Sequence, residues 1–193
     1  MSKSDPSASR KERNKTIRWV VTIFFVTMLV SGAISFLSDI LMENSGIVVA
    51  FIILLIIVLI GIIFDVIGVA VTSADEKPFH SMASRKVPGG IEAIKLLRNA
   101  ERVSSICNDV VGDICGVVSG SASATIAVQV LKHFDFSFPQ IVTLLMSALV
   151  AGLTVGGKAI GKTFAINSST KIVSAVGVLS YYISHISELF HKK

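Results

Sequence analysis

Most of the groups that carry out chemistry are scarce in this chain. It has two cysteines, Cys107 and Cys115, eight positions apart in one apolar stretch, a spacing that suits neither a disulfide framework nor a metal motif. They read as small core residues. Four histidines, His80, His133, His185 and His191, stand far apart and form no ligand set. No nucleophile with its base and no phosphate-binding loop is present, so nothing in the sequence suggests an enzyme. Charge is scarce as well: Asp, Glu, Lys and Arg make up 16% of the 193 residues, against 52% hydrophobic residues. A mean hydropathy of +0.74 lies outside the usual range of soluble domains and leaves no room for a separate soluble domain. The net charge of +5 does not point to nucleic acid, because the basic residues are spread over short segments beside apolar runs.

What the chain does have is long apolar runs. Residues 1–16 read as a disordered basic cytoplasmic tail. Residues 17–37 form a first span, longer than the apolar core of a cleaved signal and set further from the N-terminus. A short acidic loop with Asp39 and Glu43 leads to a second span over 47–71. Along it Gly61, Asp65, Gly68, Thr72 and Asp75 recur on one helical stripe, which places Asp65 against a neighbouring helix. Residues 73–102 contain too many charges to cross a bilayer. Pro88-Gly89-Gly90 divides them into two short helices, and Ile91, Ile94, Leu96 and Leu97 give an apolar side suited to the membrane interface.

A third span over 103–131 is the polar one. On a helical wheel Ser105, Asn108, Asp109, Gly112, Asp113, Gly116, Ser119, Gly120 and Ser123 fall within an arc of about 140°, opposite Ile106, Cys107, Val110, Val111, Ile114, Val117 and Val118. This pattern predicts a polar, closely packing face and a lipid face. After the aromatic turn at 132–139 comes a fourth span over 140–160, with Ala148, Gly152 and Gly156 at four-residue spacing and a glycine-rich stretch that loosens the helix near its end. Residues 171–190 read as an interfacial helix.

Charge sets the expected orientation. Six Lys or Arg precede residue 19, six lie within 73–102, five lie from Lys158 onward, and Lys132 alone falls on the other side. The positive-inside rule then puts both termini and the middle segment in the cytoplasm of a multi-pass protein of the cell (plasma or inner) membrane. The expected fold is an all-α polytopic membrane bundle of four transmembrane helices with short cytoplasmic or interfacial helices.

Acids at membrane depth cost about 2.5–3.5 kcal/mol each on insertion scales, so Asp65, Asp109 and Asp113 need a cavity, a cation or a counter-charge. Two readings follow. Asp65 or Asp113 pairs with Lys158 in a bundle that transports nothing, or the acids, Asn108 and nearby serines offer the hard oxygen ligands that magnesium or calcium takes.

The run Val71-Thr72-Ser73-Ala74-Asp75-Glu76 resembles the F-x-S-A-S-E signature closing the first core helix of the CNNM/CorC family, the cyclin M type magnesium transporters. Asn99-Ala100-Glu101-Arg102 is similar to its N-P-x-R, and Gly157-Lys158-Ala159-Ile160-Gly161-Lys162 to its G-E-x-x-P-K. The resemblance covers 47–190, with the first span as an addition and no counterpart of the family's CBS domains. It implies a homodimer whose protomers each hold a cytoplasm-facing Mg2+ site. Ser73 matches the first-helix serine by motif, and Ser105 and Asn108 are candidates for the polar second-helix positions. The chain departs from the family at Lys158, where the family has glutamate, and at Gly161, where it has proline. With Asp65, Asp109 and Asp113 restoring negative charge, the expected metal set is Ser73, Ser105, Asn108, Asp109, Asp113 and Asp65. The expected partners are the lipid bilayer, a divalent cation and a second copy of the chain.

Overall fold

The structure, a computed structural model, describes residues 6–43, 45–133 and 138–191, with side chains described for 17–42, 45–133 and 138–185. The described residues are helical and hold no strand: α1 (Pro6–Glu43), α2 (Ile47–Ser73), α3 (Lys77–Ser84), α4 (Gly90–Arg98), α5 (Ala100–Ser105), a π-helical segment (Ile106–Gly112), α6 (Asp113–His133), α7 (Pro139–Asn167) and α8 (Ser169–His191). Four stretches among them are long and apolar enough to cross a membrane: Ile17–Met42, Ile47–Ser73, Ala100–His133 and Pro139–Asn167. The fold is thus the all-α bundle that the apolar runs predict, and its hydropathy is that of a multi-pass membrane protein.

Boundaries differ in three places. First, α1 starts at Pro6, so the part of the expected tail from Pro6 onward continues the first helix, while residues 1–5 lie outside the described set. Second, α7 runs without interruption through Gly156, Gly157 and Gly161 to Asn167, where loosening was expected. Gly157 and Gly161 instead let α2 approach: a methyl group at Gly161 would stand 2.7 Å from Val66 Cγ2, and one at Gly157 would meet Ile62 Cδ1. Third, α1 runs on to Glu43, so Asp39 and Glu43 of the expected loop lie in its last turns; residues 134–137 of the aromatic turn lie outside the described residues.

Contacts fix the topology. Gln129 Nε2 donates to the Met42 carbonyl at 2.7 Å, and Ser105 and Asp109 share a groove with Trp19 and Thr27, so α1 and the third span run side by side in the same direction. Gly61 meets Cys115 and Gly68 meets Asn108, which makes α2 antiparallel to the third span. The pairings of Ile62 with Gly157 and Val66 with Gly161 make α2 parallel to α7. Up-and-down connection by short turns therefore brings the start of α1, the α3–α4 pair and α8 to one end, which also carries most of the basic residues.

Two apolar clusters hold the bundle. Met42, Ala50, Leu54, Val58, Ala122, Ile126 and Val150 join the spans at the end away from α3 and α4. At the basic end Ala70, Val71, Phe79, Ala93, Ala165 and Val173 pack together, with Ile94, Leu96 and Leu97 against them, so the two short helices close that end of α2. The predicted glycine break is where α4 crosses α8. Gly89 has φ +84°, and a Cβ there would fall 2.5 Å from the Val178 nitrogen. Only glycine combines that left-handed backbone with so close an approach. The buried edge of α8 is accordingly Val173 and Gly177, while Leu179 and Ile183 of the predicted stripe are exposed.

Candidate functional site

Between the two apolar clusters α2 offers little side-chain bulk, and the polar groups of the bundle gather there. Gly61, Asp65 and Gly68 are buried on the stripe that the sequence identified. Asp65 is 4% exposed, and its Oδ2 lies 3.8 Å from Lys162 Nζ. That distance is an ion pair but beyond hydrogen-bonding reach, and Oδ2 has no hydrogen-bond partner. Lys162 keeps its side chain 53% exposed, so its charge is held from the solvent side.

The facing wall is the π-helical segment. A π turn widens the helix and carries one residue more than an α turn over the same stretch, and such turns are frequent at functional sites. Here it spans Ile106–Gly112, around Asn108 and Asp109. Asn108 rests on Gly68, where the missing side chain makes room for its carboxamide. Its Nδ2 donates to Ser104 Oγ at 3.2 Å, and its Oδ1 is buried without a partner. At the last residue of the segment, the Gly112 carbonyl accepts a hydrogen bond from Lys158 Nζ at 3.3 Å.

The structure distributes the six expected metal ligands instead of gathering them. Asp65 and Asn108 lie on the seam of α2 and the third span. Ser105 donates to Asp109 Oδ2 at 2.7 Å, and both line a groove facing α1. Asp113 and Ser73 are exposed. Among the described residues no three His, Cys, Asp or Glu groups come together as a metal cluster. Among the described residues Lys158 forms no ion pair with Asp65 or Asp113, and the ion pair of Asp65 is to Lys162.

The wheel fails here for a physical reason. The π segment turns the residues after it relative to those before, so Ile114 and Val118, expected at lipid, are buried, while Asp113 and Gly120, expected against neighbours, are exposed. Ser119 and Ser123 are buried as the wheel predicts and donate to the carbonyls of Gly116 and Gly120 in their own helix, the bond that buried serines commonly make to the preceding turn. Lys162 was missed although it stands one turn from Lys158, a spacing that puts both on the same side of α7. Compared with protein-family models, with curated proteins and with solved structures, the chain matches none.

Proposed function

We propose that the chain is a membrane transporter domain for a divalent cation, with magnesium as its substrate, and that the cation passes the seam between α2 and the third span. The observation that carries this reading is the pair of buried oxygens without hydrogen-bond partners, Asp65 Oδ2 and Asn108 Oδ1, on adjoining turns of that seam. Leaving such atoms unpaired is costly in a bilayer unless another group serves them, and both are hard oxygen donors. The resemblance of 47–190 to the CNNM/CorC helices supports the choice of magnesium. In this reading Lys162 holds Asp65 in the resting state and swings to solvent when the cation arrives. Its exposure makes that withdrawal inexpensive.

Thermal unfolding of the purified protein in magnesium tests the proposal. A ligand that binds only the folded state raises the melting temperature, and the rise should be lost in Asp65→Asn and Asn108→Ala. It should persist in Asp113→Asn and appear at lower magnesium in Lys162→Ala, which removes the competing charge. Melting of the wild type that ignores magnesium would sink the reading.

One observation favours a second reading, a non-transporting module that pairs with another copy of itself. Gly116 and Gly120 on α6, and Gly152 and Gly156 on α7, have no neighbouring atom within 4 Å of an added Cβ. Small residues left open on a membrane helix suit close helix association. Gly152→Leu would then abolish the dimer in detergent, and the melting of the wild type would not respond to magnesium.

A further inference from the structure

A groove of about 560 Å³ opens between α1 and the start of the third span. Its walls are largely apolar, with Trp19, Ile23 and Phe24 on the α1 side, and its polar groups are few and specific. Asp109 brings a carboxylate, oriented by the hydrogen bond from Ser105 Oγ at 2.7 Å. Thr27 adds a hydroxyl whose Oγ1 is buried and without a hydrogen-bond partner. Among the described residues no Lys, Arg or His lies within ion-pairing distance of Asp109.

From this juxtaposition we propose that the groove binds an amphiphilic primary amine from within the membrane, its ammonium on Asp109 and its apolar body along α1. The carboxylate supplies the charge that an ammonium needs, and the Thr27 oxygen is a spare acceptor for a second N–H. Trp19 also lines the groove, and an indole ring attracts a cation. A neutral amphiphile of the same size brings no charge to the carboxylate and at most one donor, and an anionic one is repelled. This site is separate from the Asp65–Asn108 seam: Asn108 turns to α2, whereas Asp109, its neighbour in the chain, turns to α1.

Trp19 is the one tryptophan of the chain and lines the groove, so it reports occupancy directly. The probe is 4-bromophenethylamine, whose bromine quenches a tryptophan on contact, and the control is 2-(4-bromophenyl)ethanol, which carries a hydroxyl in place of the ammonium. With the full chain in zwitterionic nanodiscs, the amine should quench Trp19 saturably and at about tenfold lower concentration than the alcohol. Asp109→Asn should erase that preference, and Asp113→Asn should keep it. Thr27→Val should weaken the amine alone, and it serves as the deciding variant if Asp109→Asn does not fold. Equal quenching by amine and alcohol in the wild type, a preference that survives Asp109→Asn, or one that Thr27→Val leaves undiminished, overturns the proposal. Magnesium plays no part in the assay, so its result is independent of the transport reading.

Discussion

Lys158 shows how little a residue's charge alone says about its role. The sequence sets it against three acids, and a lysine serving as their buried counter-ion would be worth several kcal/mol to the fold. Its ammonium instead donates to the Gly112 carbonyl. Lys158→Ala should therefore cost about 1.5–3 kcal/mol in an unfolding titration in mixed micelles, the range of a single hydrogen bond that involves a charged group. A loss of twice that would restore the counter-ion reading. Glycines differ from one another in the same way. A methyl group at Gly68 runs into the Asn108 carboxamide, whereas one at Gly116 meets nothing. Gly68→Ala should destabilise by about 1–3 kcal/mol, and combining it with Asn108→Ala should cost less than the two changes summed. Gly116→Ala should be neutral or stabilising by up to about 1 kcal/mol, because alanine is the better helix former. Equal losses at the two glycines would mean that the third span is rotated from the position described.

Among the elements, the spans were legible and the π segment was not. Hydropathy is summed over many residues, so single polar insertions such as Asp65 do not hide a helix, and Pro88-Gly89-Gly90 marks a break by backbone chemistry alone. The face of the third span rests on an assumed rotation of 100° per residue, and one wider turn at Ile106–Gly112 shifts it: Ile114 and Val118 turn inward and Asp113 and Gly120 outward, while Val117 stays exposed and Ser119 and Ser123 stay buried. The candidate site was legible in part for the same reason. Asp65 and Gly68 sit where their stripe predicts, while Asp109 and Asp113 leave the shared face that the wheel gave them. Because a π turn contains one residue more than the α-helix needs, removing that residue should restore the α register without moving either flank. Deleting Val111 should thus cost less stability than deleting the exposed Ala124, which lies in regular helix and would rotate everything after it. Hydrogen exchange over 113–133 would distinguish the outcomes: protection retained after the first deletion, lost after the second. Loss in both would mean that the π segment is itself needed to hold α6 against α2.

For the whole molecule, the helices bring the start of α1, the α3–α4 pair and α8 together at one end of the bundle. Lys and Arg are concentrated there as well: Arg18, Lys77, Arg85, Lys86, Lys95, Arg98, Arg102, Lys162 and Lys171 all belong to these elements or to span residues next to them. The orientation expected from the positive-inside rule puts that end on the cytoplasmic side, because Lys and Arg in short loops resist translocation. The opposite end offers Ser45 in the turn between α1 and α2, and the basic end offers the exposed Ser84 at the close of α3. Single cysteines at these two positions, in a background without Cys107 and Cys115, separate the orientations with a thiol reagent that does not cross membranes. The cysteine at Ser45 should label in intact cells, and the one at Ser84 only after the membrane is opened. Labelling of Ser84→Cys in intact cells would invert the proposed orientation, and a magnesium path through the seam beside Lys162 would then open to the outside. Labelling of both in intact cells would mean that the chain does not cross the membrane as the four apolar helices imply.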